Sequence, residues 1–351
     1  MCARALFWIA ALVVSLVGCR GVDPDGSVGG VVNLNGAGAT FPFPLYSKWT
    51  FEYYRQHPTV KINYQSIGSG GGIRQLLAET VDFGATDAPM TADERRKAPR
   101  TIHHIPATLG AVAVAYNLPS VPTLRLSSET LSAIYLGEIT SWNDPRIAEV
   151  NPGIALPEQG ITVVYRSDGS GTTAVFSDYL AKVSPRWKEQ VGAGKSLRWP
   201  KGLGAKGNEG VSGQVKTTAG AIGYLELAYV HTAKLQVVAL KNRSGEFITP
   251  SVKAVTAAAS GVKLPESLTT SITDSASPGA YPIASYSYLL VYEDHPKSAK
   301  AAALASFLLW SLRDGQRFAE KLHYAPLPEE VVTQVEARVK QLTTGGKPAL
   351  P

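Results

Sequence analysis

The sequence predicts an α/β architecture with largely parallel sheets. Three observations carry this. Short apolar strands alternate with helical patterns along most of the chain. Three of the strand-to-helix passages share one composition: glycines, then Ser or Thr, then a helix. Finally, 351 residues are long for one core and comfortable for two lobes. A content of 44% hydrophobic and 18% charged residues belongs to a folded chain rather than a disordered one.

The elements follow in order. "VVNLNGAGAT" (residues 31–40) is a short strand running into a glycine turn, and "LYSKWTFEYYRQH" (45–57) places apolar and aromatic residues at helical spacing. "KINYQSIG" (61–68) is a second strand, and "SGGGIRQLLAETV" (69–81) a glycine turn feeding a helix. "DFGATDAP" (82–89) is a strand end and turn. "AVAVAYNL" (111–118) is a buried-type strand, and "ETLSAIYLG" (129–137) a helix capped by Gly137. "ITVVYRS" (161–167) is a strand entering "DGSGTTAVFSDYLAKV" (168–183), a turn and helix. Beyond it "GAIGYLELAYV", "YPIASYSYLLVYED" and the helix "SAKAAALASFLLWSLRDGQRFAEKL" continue the mix. The last eleven residues, "QLTTGGKPALP", read as frayed.

The N-terminus is a targeting segment. One early charge, Arg4, precedes an apolar run to Val17 that is too short for a comfortable bilayer span. The tetrad Leu16-Val17-Gly18-Cys19 resembles the lipobox of bacterial lipoproteins, in which cleavage before the cysteine leaves it lipidated. We therefore expect a signal peptide over 1–18, lipidation of Cys19, and a Gly/Pro/Asp-rich tether over 19–30. The alternative is an ordinary secretory signal with Cys19 incidental. Two acyl chains on Cys19 suffice for stable anchoring. Cys2 and Cys19 are the two cysteines, so the mature chain has no internal disulfide.

The net charge is +6, or +5 without residues 1–18, and the charges are dispersed. This suits an anionic ligand. The densest cluster, "ERRKAPR" (94–100), reads as a solvated helix face, with a docking patch for an acidic partner as the alternative. Nucleic-acid recognition finds no basic–aromatic stripe and no zinc spacing.

The three glycine junctions are "GAGATF" (36–41), "GSGGG" (68–72) and "DGSGTT" (168–173). A helix start carries unpaired N–H donors and about half a positive charge. Glycine permits close approach and a hydroxyl adds a donor, so each junction can hold part of an oxyanion. In open α/β sheets such junctions gather at the C-terminal edge of the strands. Other chemistries fail on spacing. Ser170 has Asp168 at −2 and Thr172 at +2, and Ser69 has Ile67 at −2, so neither fits G-x-S-x-G. Neither "DGSGTT" nor "GLGAKGNEG" meets the Walker pattern, and "GSGGGI" breaks the dinucleotide spacing. His103 and His104 are adjacent, so on a strand they point to opposite faces, which disfavours a shared metal. The remaining reading is an anion cradle. Arg166, at a strand end, can fork two hydrogen bonds to an oxyanion, with Asp168 bracing it or capping the helix. Asp87, after a strand and before Pro89, either caps the turn or makes sense if the ligand carries a proton. It would accept that proton and repel fully ionised sulfate.

"GAGATFPFPLYSKW", "YQSIGSGGGIRQLL", "VDFGATDAPM", "YRSDGSGTTAVFSDYL", "KGNEGV" and "GAIGYLELAY" occur in this order. From about Asn33 to Val339 the chain resembles the phosphate-binding proteins of bacterial phosphate ABC transporters. The resemblance implies a two-lobed, type II periplasmic-binding-protein fold with the ligand cleft between lobes and a two-stranded hinge. It divides the chain into lobe I, 31–107 plus 289–345, and lobe II, 108–288, crossing near Thr108 and Tyr288. By position, Thr40, Phe41 (through its N–H), Ser69, Arg166, Ser170, Gly171 and Thr172 match phosphate-binding residues. Asp87 matches the proton acceptor and Asp168 the partner of the arginine. Gly70 stands where relatives often have a second serine, and Thr86 replaces a common serine. The implied partners are inorganic phosphate, an ABC permease and its ATPase, and a membrane through the anchor. The molecule would be an extracytoplasmic monomer without catalysis, cofactor or metal. The alternatives are a receptor for sulfate or a phosphonate, a phosphatase, and a surface receptor or adhesin.

Overall fold

The computed structural model describes residues 27–28 and 30–350. The expected signal peptide and Cys19 lie outside the described residues. The segment read as a tether ends in a strand: β1 (Ser27–Val28) pairs antiparallel with the start of β2 (Val31–Gly38).

The chain continues through α1 (Phe43–Gln56), β3 (Val60–Ser66), α2 (Ser69–Leu77), β4 (Phe83–Thr86), α3 (Ala92–Arg96) and β5 (Ile102–Tyr116). Then come β6 (Leu124–Leu126), α4 (Ser128–Leu136), α5 (Pro145–Ala148), β7 (Thr162–Arg166), α6 (Gly171–Val183), α7 (Pro185–Gln190), β8 (Leu203–Ala205) and α8 (Gly207–Thr217). Last are β9 (Ala221–Glu226), α9 (Leu227–Ala233), β10 (Gln236–Lys241), β11 (Phe247–Ile248), α10 (Val252–Ala259), β12 (Ala284–Tyr292), α11 (Ser298–Leu312) and α12 (Glu329–Val339).

The strands join in the order β1-β2-β4-β12-β5-β9-β7-β8. The expectation of largely parallel sheets needs correction. The outer βαβ units are parallel: β2 pairs β3 and β4, and β7 pairs β8 and β9. The middle is antiparallel, because β5 pairs β12 and β9, and β12 pairs β4, in opposite directions. The reason is β5. Sequence alone marks its apolar second half, but the strand begins nine residues earlier, at Ile102. Ile102–Ala111 pairs with β12, while Val112–Tyr116 pairs with β9. One strand thus belongs to both halves of the molecule. Its register with β12 shifts between Ser287 and Tyr288, which oppose Thr108 and Pro106 and leave Ala107 as the extra residue. Pro106 has no N–H to give the ladder, which suits a bulge there.

Each half buries its helices in the expected way. In α1, Leu45, Tyr46, Trp49 and Tyr53 face the core at helical spacing. Gly137 ends α4 in the left-handed conformation at φ 83°. The C-terminal tail is ordered rather than frayed. Residues 343–344 and 347–348 form a small hairpin around Gly345 and Gly346, both at positive φ, and Ala349 is buried. No helix of the described residues is long and apolar enough to cross a membrane.

Candidate functional site

The parallel strands β2, β3 and β4 end side by side, the end of β7 meets them from the other half, and the three glycine junctions follow the ends of β2, β3 and β7. The first junction places Thr40 and Phe41 just before α1, both buried. Gly38 sits so close to β4 that a Cβ would meet the Ala85 carbonyl oxygen at 2.2 Å. The second junction starts α2 with Ser69. The third starts α6 with Gly171, and Ser170 caps that helix by accepting the Thr173 N–H at 3.0 Å.

The second and third junctions touch. Ser69 Oγ accepts the Gly171 N–H at 3.1 Å, and Gly70 N–H donates to the Gly169 carbonyl at 2.8 Å. Gly68 lies at φ 86°, where glycine is favoured, and a Cβ there would stand 2.2 Å from Asp168 Oδ2. The turn of β3–α2 therefore packs backbone to backbone on the turn of β7–α6.

Arg166 ends β7 and is almost fully buried. Its Nε donates to Asp168 Oδ1 at 2.7 Å and its Nη2 to Asp168 Oδ2 at 2.5 Å, a bidentate pair. Nη1 donates to Thr172 Oγ1 at 3.3 Å. The backbone N–H of Arg166 donates to the hydroxyl of Tyr224, whose ring is stacked between Phe176 and Trp199. Asp168 also accepts the Gly207 N–H at 3.1 Å. Burial alone pushes the Asp168 carboxyl up, but its bonds to Arg166 and Gly207 outweigh that and hold it below the usual carboxylate range. Asp168 braces the guanidinium rather than capping the helix. The pair orients a fork with donors to spare, since a guanidinium carries five N–H groups.

Asp87 follows β4 and is 2% exposed. Ser287 Oγ donates to its Oδ1 at 2.8 Å, and its backbone N–H donates to Ser69 Oγ at 3.4 Å. Burial pushes the carboxyl up to about 7, against the opposing pull of Ser287, Arg166 and Ser69. At neutral pH this group can thus either accept a proton from a ligand or donate one.

Several residues here carried no role in the sequence reading. Asn208 is fully buried at the start of α8. Its Nδ2 donates to Thr40 Oγ1 at 2.7 Å and to Thr172 Oγ1 at 3.4 Å, while its Oδ1 accepts the Glu226 N–H. It ties the first junction to the third. Tyr229 and Tyr324 donate to the carbonyls of Thr40 and Phe41, each at 2.6 Å. Glu226 caps α9 through the Ala228 N–H, and burial raises its carboxyl well above the usual range. A signal for Asn208 existed: "KGNEG" is a fourth strand–glycine–helix passage, with Gly207 at φ 72°. Glu226 and Tyr229 lie within "GAIGYLELAY", a motif to which no role was attached residue by residue, and no pattern marked Tyr324; all three arrive from distant elements.

No group of three or more His, Cys, Asp or Glu among the described residues is arranged to hold a metal. His104 Nε2 accepts the Met90 N–H, and His103 faces Glu293 and Arg338 instead. Ser170 Oγ bonds the Thr173 N–H, not a base that could activate it.

Fold and site together define a solute-binding protein of the two-lobed, type II kind, with helix starts of both lobes facing one another around a buried arginine. The PBP superfamily domain matches residues 24–314. A phosphate-binding protein PstS of Xylella fastidiosa is 43% identical over 310 residues, covering 87% of this chain and 84% of its own. That of Pasteurella multocida is 42% identical over 311 residues, covering 88% and 90%. Among solved structures, a high-affinity periplasmic phosphate-binding protein with bound phosphate superposes with a TM-score of 0.73 at 21% identity. It covers 90% of this chain and 97% of its own, a likeness of fold. The chain belongs to the phosphate-binding protein family of the Pst ABC transporters.

Proposed function

We propose that this protein binds inorganic phosphate with high affinity outside the cytoplasm and delivers it to the permease and ATPase of an ABC importer. The observation that carries the reading is the burial of Arg166, Asp87 and three glycine-rich helix starts in one place. Thr40, the Phe41 N–H, Ser69, Arg166, Ser170, Gly171 and Thr172 would donate to phosphate oxygens. Asp87 would take the hydrogen bond of a protonated oxygen, a bond that fully ionised sulfate cannot offer. Asp168 keeps the guanidinium in place. The names of the curated relatives support the ligand, and the bridging of the two halves by β5 supports a hinge.

In this reading residues 31–107 plus 289–345 close on residues 108–288, with crossings near Thr108 and Tyr288, and closing buries the ligand. Cys19 carries the lipid that keeps the receptor at the membrane, and the receptor works as a monomer without catalysis. The helix-capping bond of Ser170 supports a binding role over a nucleophilic one.

Calorimetric titration of the purified protein with phosphate and with sulfate, at matched ionic strength, tests the reading. Trp199, stacked on Tyr165 and Tyr224 behind Arg166, gives a fluorescence signal for the same event. Tight phosphate binding with weak sulfate binding is expected. Tighter sulfate binding, or hydrolysis of a chromogenic phosphoester that Ser170→Ala abolishes, overturns it.

A further inference from the structure

Lys195 belongs to none of the junctions, yet it touches both sides of the site. It lies between α7 and β8. Beside it, the Gly194 N–H donates to Ser177 Oγ on α6 at 3.1 Å. The carbonyl of Lys195 accepts the Ser170 N–H at 2.8 Å. This loop is therefore built onto the turn that opens α6. The side chain then points away from α6. Its ammonium donates to the Pro89 carbonyl at 3.1 Å and to Glu94 Oε2 at 2.8 Å. Pro89 is two residues beyond Asp87. Glu94 is itself held in place: it closes a capping box with Thr91 at the start of α3. The paired side chains keep only 11% and 25% of their exposure, so solvent and salt screen this pair less than a surface pair.

We propose that Lys195 is a closure latch. It is a positioning residue that couples seating of the Ser170 turn to locking of the Asp87 segment, and so sets how long the ligand stays. The proposal rests on the phosphate-binding reading above. The bond between Ser170 and Lys195 lies within one lobe and survives opening. The bonds to Pro89 and Glu94 cross between lobes and exist only when they are closed. An interaction made in one state alone shifts the balance toward that state by its full worth. Encounter with the open cleft precedes the contact, so the effect falls on dissociation rather than association.

Stopped-flow kinetics with inorganic phosphate on the full chain test this, comparing wild type, Lys195→Met, Glu94→Gln and the double variant. Methionine keeps the apolar stem, and glutamine can still close the capping box. In Lys195→Met koff is expected to rise about tenfold, about 1.4 kcal/mol, with kon changed less than about twofold. The ligand-free Tm should match wild type, and the double variant should be no worse than either single. Unchanged koff in Lys195→Met overturns the latch. So does a rise in koff matched by a fall in ligand-free Tm, or additivity of the two single changes. A wild type that fails to bind phosphate overturns the proposed function and the latch with it. A wild type that binds, with koff unaffected in the variants, overturns the latch alone.

Discussion

Ser69 and Gly171, 102 positions apart in sequence, meet in one hydrogen bond: the serine hydroxyl accepts the glycine N–H at 3.1 Å. It joins the start of α2 to the start of α6. A Cβ on Gly171 would stand 2.4 Å from that hydroxyl oxygen and 2.5 Å from Asp87 Oδ2. The two halves approach here as closely as backbone allows.

Gly171→Ala therefore tests closure directly. The helix start tolerates alanine, so the ligand-free Tm is expected to stay near wild type. The added methyl forces the two turns apart. Phosphate affinity is expected to fall about a hundredfold, within the range of about 1–3 kcal/mol for overpacking a tight contact. Calorimetry and a thermal melt on the same sample check both halves of the statement, and wild-type affinity would sink it.

Asp87→Asn replaces an acceptor with a group that can also donate. Phosphate loses a charged hydrogen bond worth about 1.5–3 kcal/mol, while sulfate loses a repulsion. The preference for phosphate over sulfate is expected to narrow by roughly tenfold to a hundredfold. An unchanged ratio in paired titrations would remove Asp87 from the role of proton acceptor.

The same residue predicts a pH dependence. Burial raises Asp87 from 3.8 to about 7, so the folded, ligand-free protein holds this proton where the unfolded chain has lost it. The resulting stability is complete below 3.8 and is lost as pH rises through about 7. The ligand-free Tm is expected to fall progressively between about pH 4 and about pH 7 in wild type, and to fall less in Asp87→Asn. Sulfate affinity should rise as pH falls through about 7, because the protonated carboxyl can donate to it. Parallel pH profiles in the two proteins would contradict both statements.

Arg166 and Asp168 form one unit, and breaking it from either side has different consequences. Arg166→Lys removes the fork and leaves Asp168 with a single mobile partner. Phosphate affinity is expected to fall by about a hundredfold or more, with a loss of stability of about 1–3 kcal/mol. Asp168→Asn keeps the guanidinium but frees its orientation, and a loss of roughly tenfold is expected. Equal losses would mean that Asp168 is a ligand contact rather than a brace.

Asn208→Ala removes three hydrogen bonds at once and leaves the buried Glu226 N–H without its partner. A loss of about 1–3 kcal/mol in stability is expected from the orphaned group. Affinity should also fall, because Thr40 loses the side-chain bond and keeps only the backbone N–H of residue 208 as its tie to α8. A denaturant titration with unchanged midpoint would show that Asn208 is dispensable to the fold.

The parts of the site visible in the sequence are those written locally. Each glycine–hydroxyl passage is a few adjacent residues whose backbone demands can be read without a fold, and Arg166 stands directly before one of them. Asn208 was visible in the same terms, through "KGNEG", but its partner Thr40 is 168 positions away. Tyr229, Tyr324 and Ser287 come from elements that touch the junctions only after the whole chain has packed. The parallel expectation failed at β5 for a related reason. Local apolar pattern shows that a strand exists, whereas its direction against its neighbours depends on where the chain returns from.

By itself, then, the sequence determined the alternation of strands and helices and the chemistry of the glycine turns, because dihedral freedom, capping and hydrophobic period act within a few residues. Only the tertiary structure decided which turns face one another, that one fifteen-residue strand serves both halves, and that Asp87 is buried enough to hold a proton near neutral pH. Pairing over long sequence separations and the ionisation of a buried group depend on the sum of all surroundings, and that sum exists only in the packed molecule.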